Sequence, residues 1–177
     1  MTRWDGLFAD LEGQIDAEEA AELAAEVSEL QLAAWARTGW LDRARGRLGE
    51  PVRLRLVDGS VVRGPLDSLG PDWLLVGGAA AALVPAAAVV EVDELAARGA
   101  PEASAVLARL GLAHALRRVA AEAEPVLVTR LGGPPLRGRV VRVGRDHLDL
   151  MADDVEPGVA PAVCTLTFAG LVTVRPV

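Results

Sequence analysis

The chain reads as an α+β protein: an N-terminal amphipathic helix and two tandem units, each a helix followed by a small five-stranded β-barrel. Three observations predict this. The stretch from Pro51 to Val76 aligns without a gap onto Pro125 to Leu150, so that Pro51, Val52, Gly59, Arg63, Gly64, Gly70, Asp72 and Leu74 fall on Pro125, Val126, Gly133, Arg137, Gly138, Gly144, Asp146 and Leu148. After an insertion in the second copy, Ala82 to Val92 falls on Cys164 to Val174. A unit that occurs twice sets the architecture. The apolar period also changes at Pro51, from helical to twofold. Finally, Gly64 and Gly138 interrupt corresponding strands, as happens where a sheet bends sharply or another backbone approaches closely. Five short, bent strands favour a closed barrel over an open sheet.

From about Asp16 to Arg45 the chain is rich in Ala, Leu and Glu. Ala20, Leu23, Val27, Leu30, Ala34 and Leu41 form an apolar stripe, with Glu18, Glu22, Glu26 and Glu29 opposite, which predicts an amphipathic helix with a coiled-coil flavour. The stripe either covers the protein's own barrels or serves dimerisation or docking to a partner, with Leu23, Val27 and Leu30 as the candidate protein-contact residues. Gly39, Gly46 and Gly49 weaken and end it. Val52, Leu54 and Leu56 then alternate with arginines, Asp58-Gly59 supplies a tight turn, and a bent strand returns through Gly64. Gly70-Pro71 turns the chain into a third strand, Asp72 to Val76; a fourth is expected around Leu83-Val84 and a fifth over Val89 to Val92, with a short turn between them.

A second helix is expected from about Glu102 to Glu122, feeding Pro125 as the first feeds Pro51. The second copy differs in its first turn, Gly132-Gly133-Pro134-Pro135, and in a longer polar loop, ADDVEPGVAPA. The expected division is an acidic helical region over 1–50, a first barrel over 51–93, a linker and second helix over 94–124, and a second barrel over 125–177.

The 177 residues, 51% of them hydrophobic, suffice for a small core in each half. The absence of about 18 consecutive apolar residues and of a signal-like N-terminus leads to the expectation of a cytoplasmic protein without a membrane partner. All 18 basic residues are arginine, Asn and Tyr are absent and Ile15 is the one isoleucine, a composition that looks like the product of a GC-rich, actinobacterial genome. The net charge of -7 is concentrated in residues 1–30, where nine acids face Arg3 alone.

The order helix, apolar alternation, Asp-Gly turn, Arg-Gly in the second strand and Gly-x-Asp before the third resembles the Sm-like (LSm) barrel. It is also similar to the C-terminal barrel of bacterial ribosome maturation factors and to other SH3-like barrels. The resemblance covers about 42 residues of the first copy and about 50 of the second. It implies barrels with partly open edges that pair between copies, between chains or with a partner strand. The nucleotide pocket of Sm-like proteins is not carried over: its asparagine is absent at Gly70 to Leu74 and Gly144 to Leu148, and its basic loop reads Ala86 to Ala88 and Phe168 to Gly170.

Enzymatic chemistry is not expected. His114 falls within a helix, His147 stands where the first copy has Trp73, and Cys164 lies in a strand-like stretch suited to packing. No zinc spacing or phosphate-binding motif occurs in the sequence, Asp153-Asp154 reads as a solvated pair, and no cofactor is called for. The expected function is a non-enzymatic protein-interaction or oligomerisation module, with Trp73 as the candidate contact on a barrel loop. The alternative is an RNA- or DNA-binding regulator whose arginine-bearing strands, through Arg53, Arg55, Arg63, Arg137, Arg139, Arg142 and Arg145, would touch phosphates. Against it stands the shortage of aromatic stacking residues.

Overall fold

A computed structural model of the chain describes residues 22–79, 81–100, 109–153 and 163–177. The chain divides into two compact units, Met1–Gly39 and Trp40–Val177. In the first, α1 (residues 22–37) is helical and exposed along its described length. The helix expected to run on to Arg45 stops there: Thr38 and Gly39 are not helical. The Thr38 hydroxyl donates to Ala34 O at 2.9 Å and its amide to Trp35 O, an ending before a glycine that carries the largest non-proline helix penalty.

The second unit starts with α2 (Trp40–Arg45) and continues through β1 (Pro51–Leu56), β2 (Val61–Leu69), β3 (Trp73–Val76), β4 (Ala82–Pro85), a 3-10 turn (Ala86–Ala88) and β5 (Val89–Val92). Then come α3 (Leu112–Glu122), β6 (Val126–Arg130), β7 (Leu136–Val143), β8 (His147–Ala152), β9 (Val163–Thr167), a 3-10 turn (Phe168–Gly170) and β10 (Leu171–Pro176). The helix expected from Glu102 has its start outside the described residues. Its described part begins only at Leu112, after a non-helical Leu110 and an extended N-cap at Gly111.

The two closed barrels predicted from the sequence are not what forms. All ten strands join one antiparallel sheet in the order β5-β1-β2-β3-β4-β10-β6-β7-β8-β9. Within each repeat the order is the same: fifth, first, second, third, fourth. Closing a repeat would require its fourth strand to pair with its own fifth. Instead β4 pairs with β10, Leu83 opposite Val174, so the fourth strand of one repeat joins the fifth of the other. The sheet stays open, with β5 and β9 at its ends.

The repeat extends to the irregularities. The register shifts between Leu66 and Ser68 in β2, and between Val140 and Arg142 in β7, leaving Asp67 and Val141 as extra residues. Likewise Val90 of β5 and Val172 of β10 fall at register shifts against β1 and β6. Gly64 lies opposite Val52, as Gly138 lies opposite Val126. A Cβ on Gly64 would overlap the Gly77 carbonyl oxygen, and one on Gly138 the Met151 carbonyl oxygen. The glycines thus permit close backbone approach where the sheet coils, the role expected of them.

Two cores form, and each borrows from the other repeat. The first contains Leu54, Leu56, Leu66, Leu74 and Ala44 of α2, and also Val172 of β10. The second contains Leu112 and Leu116 of α3 with Val128, Leu148, Leu150 and Leu171, and also Leu83 of β4. Each fully buried leucine contributes about 1.5–3 kcal/mol from removal of its surface from water. The exchange of Val172 and Leu83 makes the two halves of the sheet one structural unit.

Candidate functional site

The features that set this unit apart lie at the junction between the repeats and at the two sheet ends that lack such a junction. At the junction, the Leu112 amide donates to Asp72 Oδ1 at 2.7 Å, and Trp73 Nε1 donates to Leu110 O at 2.7 Å. An Asp-Trp dipeptide of the first repeat therefore holds the start of the second repeat's helix. The carboxylate satisfies an amide that the helix itself leaves without a partner, and its charge suits a helix N-terminus. This fixes the place of Trp73: the first residue of β3, half-buried, with Leu75 against the second core.

Among the described residues, the corresponding dipeptide of the second repeat, Asp146-His147, holds no helix start. Its Asp146 side chain is 85% exposed and is 2.9 Å from His147 Nδ1. That hydrogen bond, with the neighbouring charges of His147 and Arg145, holds the Asp146 carboxyl below its ordinary pKa. Both dipeptides keep the same backbone geometry: Asp72 O accepts from the Ala86 amide and Asp146 O from the Phe168 amide, each at 2.8 Å.

The same contrast recurs at the strands. Val172 is fully buried in the first core, whereas Val90, its repeat equivalent, is 60% exposed at the sheet end. Leu83 is buried, whereas its equivalent Thr165 is exposed, its hydroxyl donating to Asp149 Oδ1 at 2.7 Å. The β9 edge, Val-Cys-Thr-Leu-Thr, carries no charge and no proline, the devices by which edge strands commonly avoid pairing. Cys164 is a half-buried free thiol within it.

A cleft of about 520 Å³ opens at the junction, between α3, the β3–β4 pair and the adjoining ends of β6 and β10. Trp73, Leu75, Leu83, Val119 and Val174 give it an apolar lining, and His114, Arg118, Glu122, Glu124 and Arg175 add polar groups.

Leu23, Val27 and Leu30 are exposed on α1. Of the seven arginines singled out in the sequence, four lie beside carboxylates of their own sheet. Arg53 meets Asp93 at 2.6 Å, Arg55 meets Glu91 at 2.8 Å, Arg137 meets Asp153 at 3.5 Å and Arg142 meets Asp149 at 3.9 Å. Hydrogen bonding to Asp93 raises the Arg53 pKa and lowers that of Asp93. Arg63, Arg139 and Arg145 are exposed on β2, on β7 and in the β7–β8 turn. Sequence reasoning did not single out Val90, Thr165, Asp146 or Arg175. The repeat alignment held the signal for the first three, since it matches each to a residue with a buried or bonded role at the junction.

No group of three His, Cys, Asp or Glu placed to hold a metal ion occurs among the described residues, and no helix there is long and apolar enough to cross a membrane. No family model matches the chain, and no curated protein or solved structure is significantly similar to it.

Proposed function

We propose that the chain is a non-enzymatic interaction module that self-associates head to tail, the β9 end of one copy pairing with the β5 end of the next. The observation that carries this reading is the β4–β10 junction. There a fourth strand already joins a fifth strand within the chain, and β9 and β5 are the fourth and fifth strands left over. In the repeat's own register, Thr165 would lie opposite Val92 of the next copy, as Leu83 lies opposite Val174. Val90 would become buried as Val172 is, and Asp146-His147 would face the neighbour's α2 start as Asp72-Trp73 faces that of α3.

The bulge in β5 does not stand against this pairing, because β10 has the equivalent bulge and is paired. Such an interface is heterologous: it closes into a ring if the rotation between copies allows and otherwise runs on as a filament. The nucleic-acid reading gains less support, because four of its seven arginines are matched to acids of the same sheet.

Light scattering coupled to size exclusion tests the proposal. The expected mass is a multiple of 18.5 kDa for the wild type, falling toward one chain in Val90→Asp and in Thr165→Asp. A wild type that stays at one chain mass at every concentration would sink it.

A further inference from the structure

We infer that α1 pairs with α1 of a second copy, the two helices antiparallel, through Leu23, Val27, Leu30 and Ala34. These residues follow one another at steps of four, three and four, the spacing at which two helices keep a single seam in contact. Leu23 is 62%, Val27 44% and Leu30 63% exposed, and Ala34 is exposed with them. Helices in proteins owe most of their stability to the packing of such an apolar face, so a seam left open along the described helix calls for a matching one.

Charge selects the occupant and its direction. At 3.6 residues per turn, Glu22, Glu26 and Arg37 fall on one flank of the seam, the acids near its start and the arginine at its end. Antiparallel helices set like flanks together in reverse order, which brings Arg37 beside Glu22 of the second copy, twice by symmetry. Parallel helices would set the same flank against Ala24 and Gln31 and leave both Arg37 side chains at one end. The antiparallel order also lays Leu23 against Ala34 and Val27 against Leu30, a larger side chain against a smaller one in every layer. The parallel order stacks Ala34 on Ala34 and leaves that layer underfilled. An antiparallel pair of identical helices is isologous and closes at two copies.

The pairing uses no residue of β5 or β9, so it stands or falls separately from the head-to-tail contact. Cross-linking tests it in a Cys164→Ser, Val90→Asp background, chosen to suppress that contact; should head-to-tail pairing itself fail, Val90→Asp is silent and the readout is unchanged. Leu23→Cys and Ala34→Cys proteins are mixed and treated with a short bismaleimide. The mixture is expected to give a covalent dimer that neither protein gives alone, since like positions lie about 16 Å apart along the axis of an antiparallel pair. Sedimentation equilibrium of the Val90→Asp protein should show monomer and dimer of the 18.5 kDa chain. Leu23→Glu combined with Leu30→Glu should hold it at one chain, Arg37→Glu should weaken the dimer, and adding Glu22→Arg to Arg37→Glu should restore it. Dimers from Ala34→Cys alone, no cross-link in the mixture, one chain mass at every concentration, or a dimer indifferent to Arg37→Glu would each overturn the inference. The cross-link keeps the rest of the seam intact, so it decides the matter even if the double glutamate variant unfolds α1.

Discussion

Val172 and Val90 occupy the same position of the repeat in opposite surroundings, and truncating each to alanine weighs those surroundings. Val172 is fully buried among residues of the first core, although it belongs to the second repeat. Losing two buried carbons there removes about 1.6 kcal/mol of transfer free energy at roughly 0.8 kcal/mol each. The cavity left behind brings the total to about 2–3 kcal/mol. For a unit spanning Trp40–Val177 this corresponds to a fall in Tm of about 7–10 °C. Val90, at 60% exposure, should cost under about 0.5 kcal/mol in the same experiment. Urea unfolding followed by circular dichroism, in dilute samples so that association does not mask the single chain, measures both. A Val172→Ala variant as stable as Val90→Ala would refute the exchange of core residues between repeats and, with it, the reading of the sheet as one unit.

Three further outcomes follow from the geometry. Gly138→Ala should destabilise by about 1–3 kcal/mol, because the new Cβ meets the Met151 carbonyl, whereas Gly59→Ala, which meets no atom and pays only for its positive φ of 82°, should cost about 1 kcal/mol; denaturant midpoints of the two variants check the order. Asp72→Ala should cost about 1 kcal/mol through loss of the Leu112 cap, read as faster amide hydrogen exchange in the first turn of α3, with Asp72→Asn retaining most of the protection. The Asp93 carboxyl titrates below its ordinary range, so the stability it contributes is present above that range and is lost as pH falls through the lowered native value. Thermal melts below about pH 4 should therefore show a smaller acid-side loss in Asp93→Asn than in the wild type.

Much of the local structure was legible in the residues. The Asp58-Gly59 turn, the bent strand through Gly64, the fifth strand over Val89 to Val92 and the turn before it all follow from period and turn chemistry. Closure was not legible. The apolar run Ala82-Leu83-Val84 announces a strand buried along its length, but a strand's free hydrogen-bonding edge carries no label for its partner, and β4 joins the distant β10 instead of β5. The usable clue was divergence between the copies. Leu83 against Thr165 and Trp73 against His147 mark a junction that is apolar inside the chain and more polar at its end, while valine at both 90 and 172 hides the difference in their burial. The start of α3 at Leu112 was obscured for a related reason. The Leu110 carbonyl is taken by the Trp73 indole, a tertiary bond that no helical period announces.

The central claim, that one chain's β9 end pairs with the next chain's β5 end, is tested most directly by cysteine cross-linking. Val92→Cys and Thr165→Cys are combined in a Cys164→Ser background and oxidised, since residues directly opposite in an antiparallel pair can bring their Cα atoms within disulfide reach. Head-to-tail pairing yields a ladder of covalent dimers, trimers and larger species that neither single cysteine produces. Monomer alone, or dimers formed equally well by either single-cysteine protein, would contradict it.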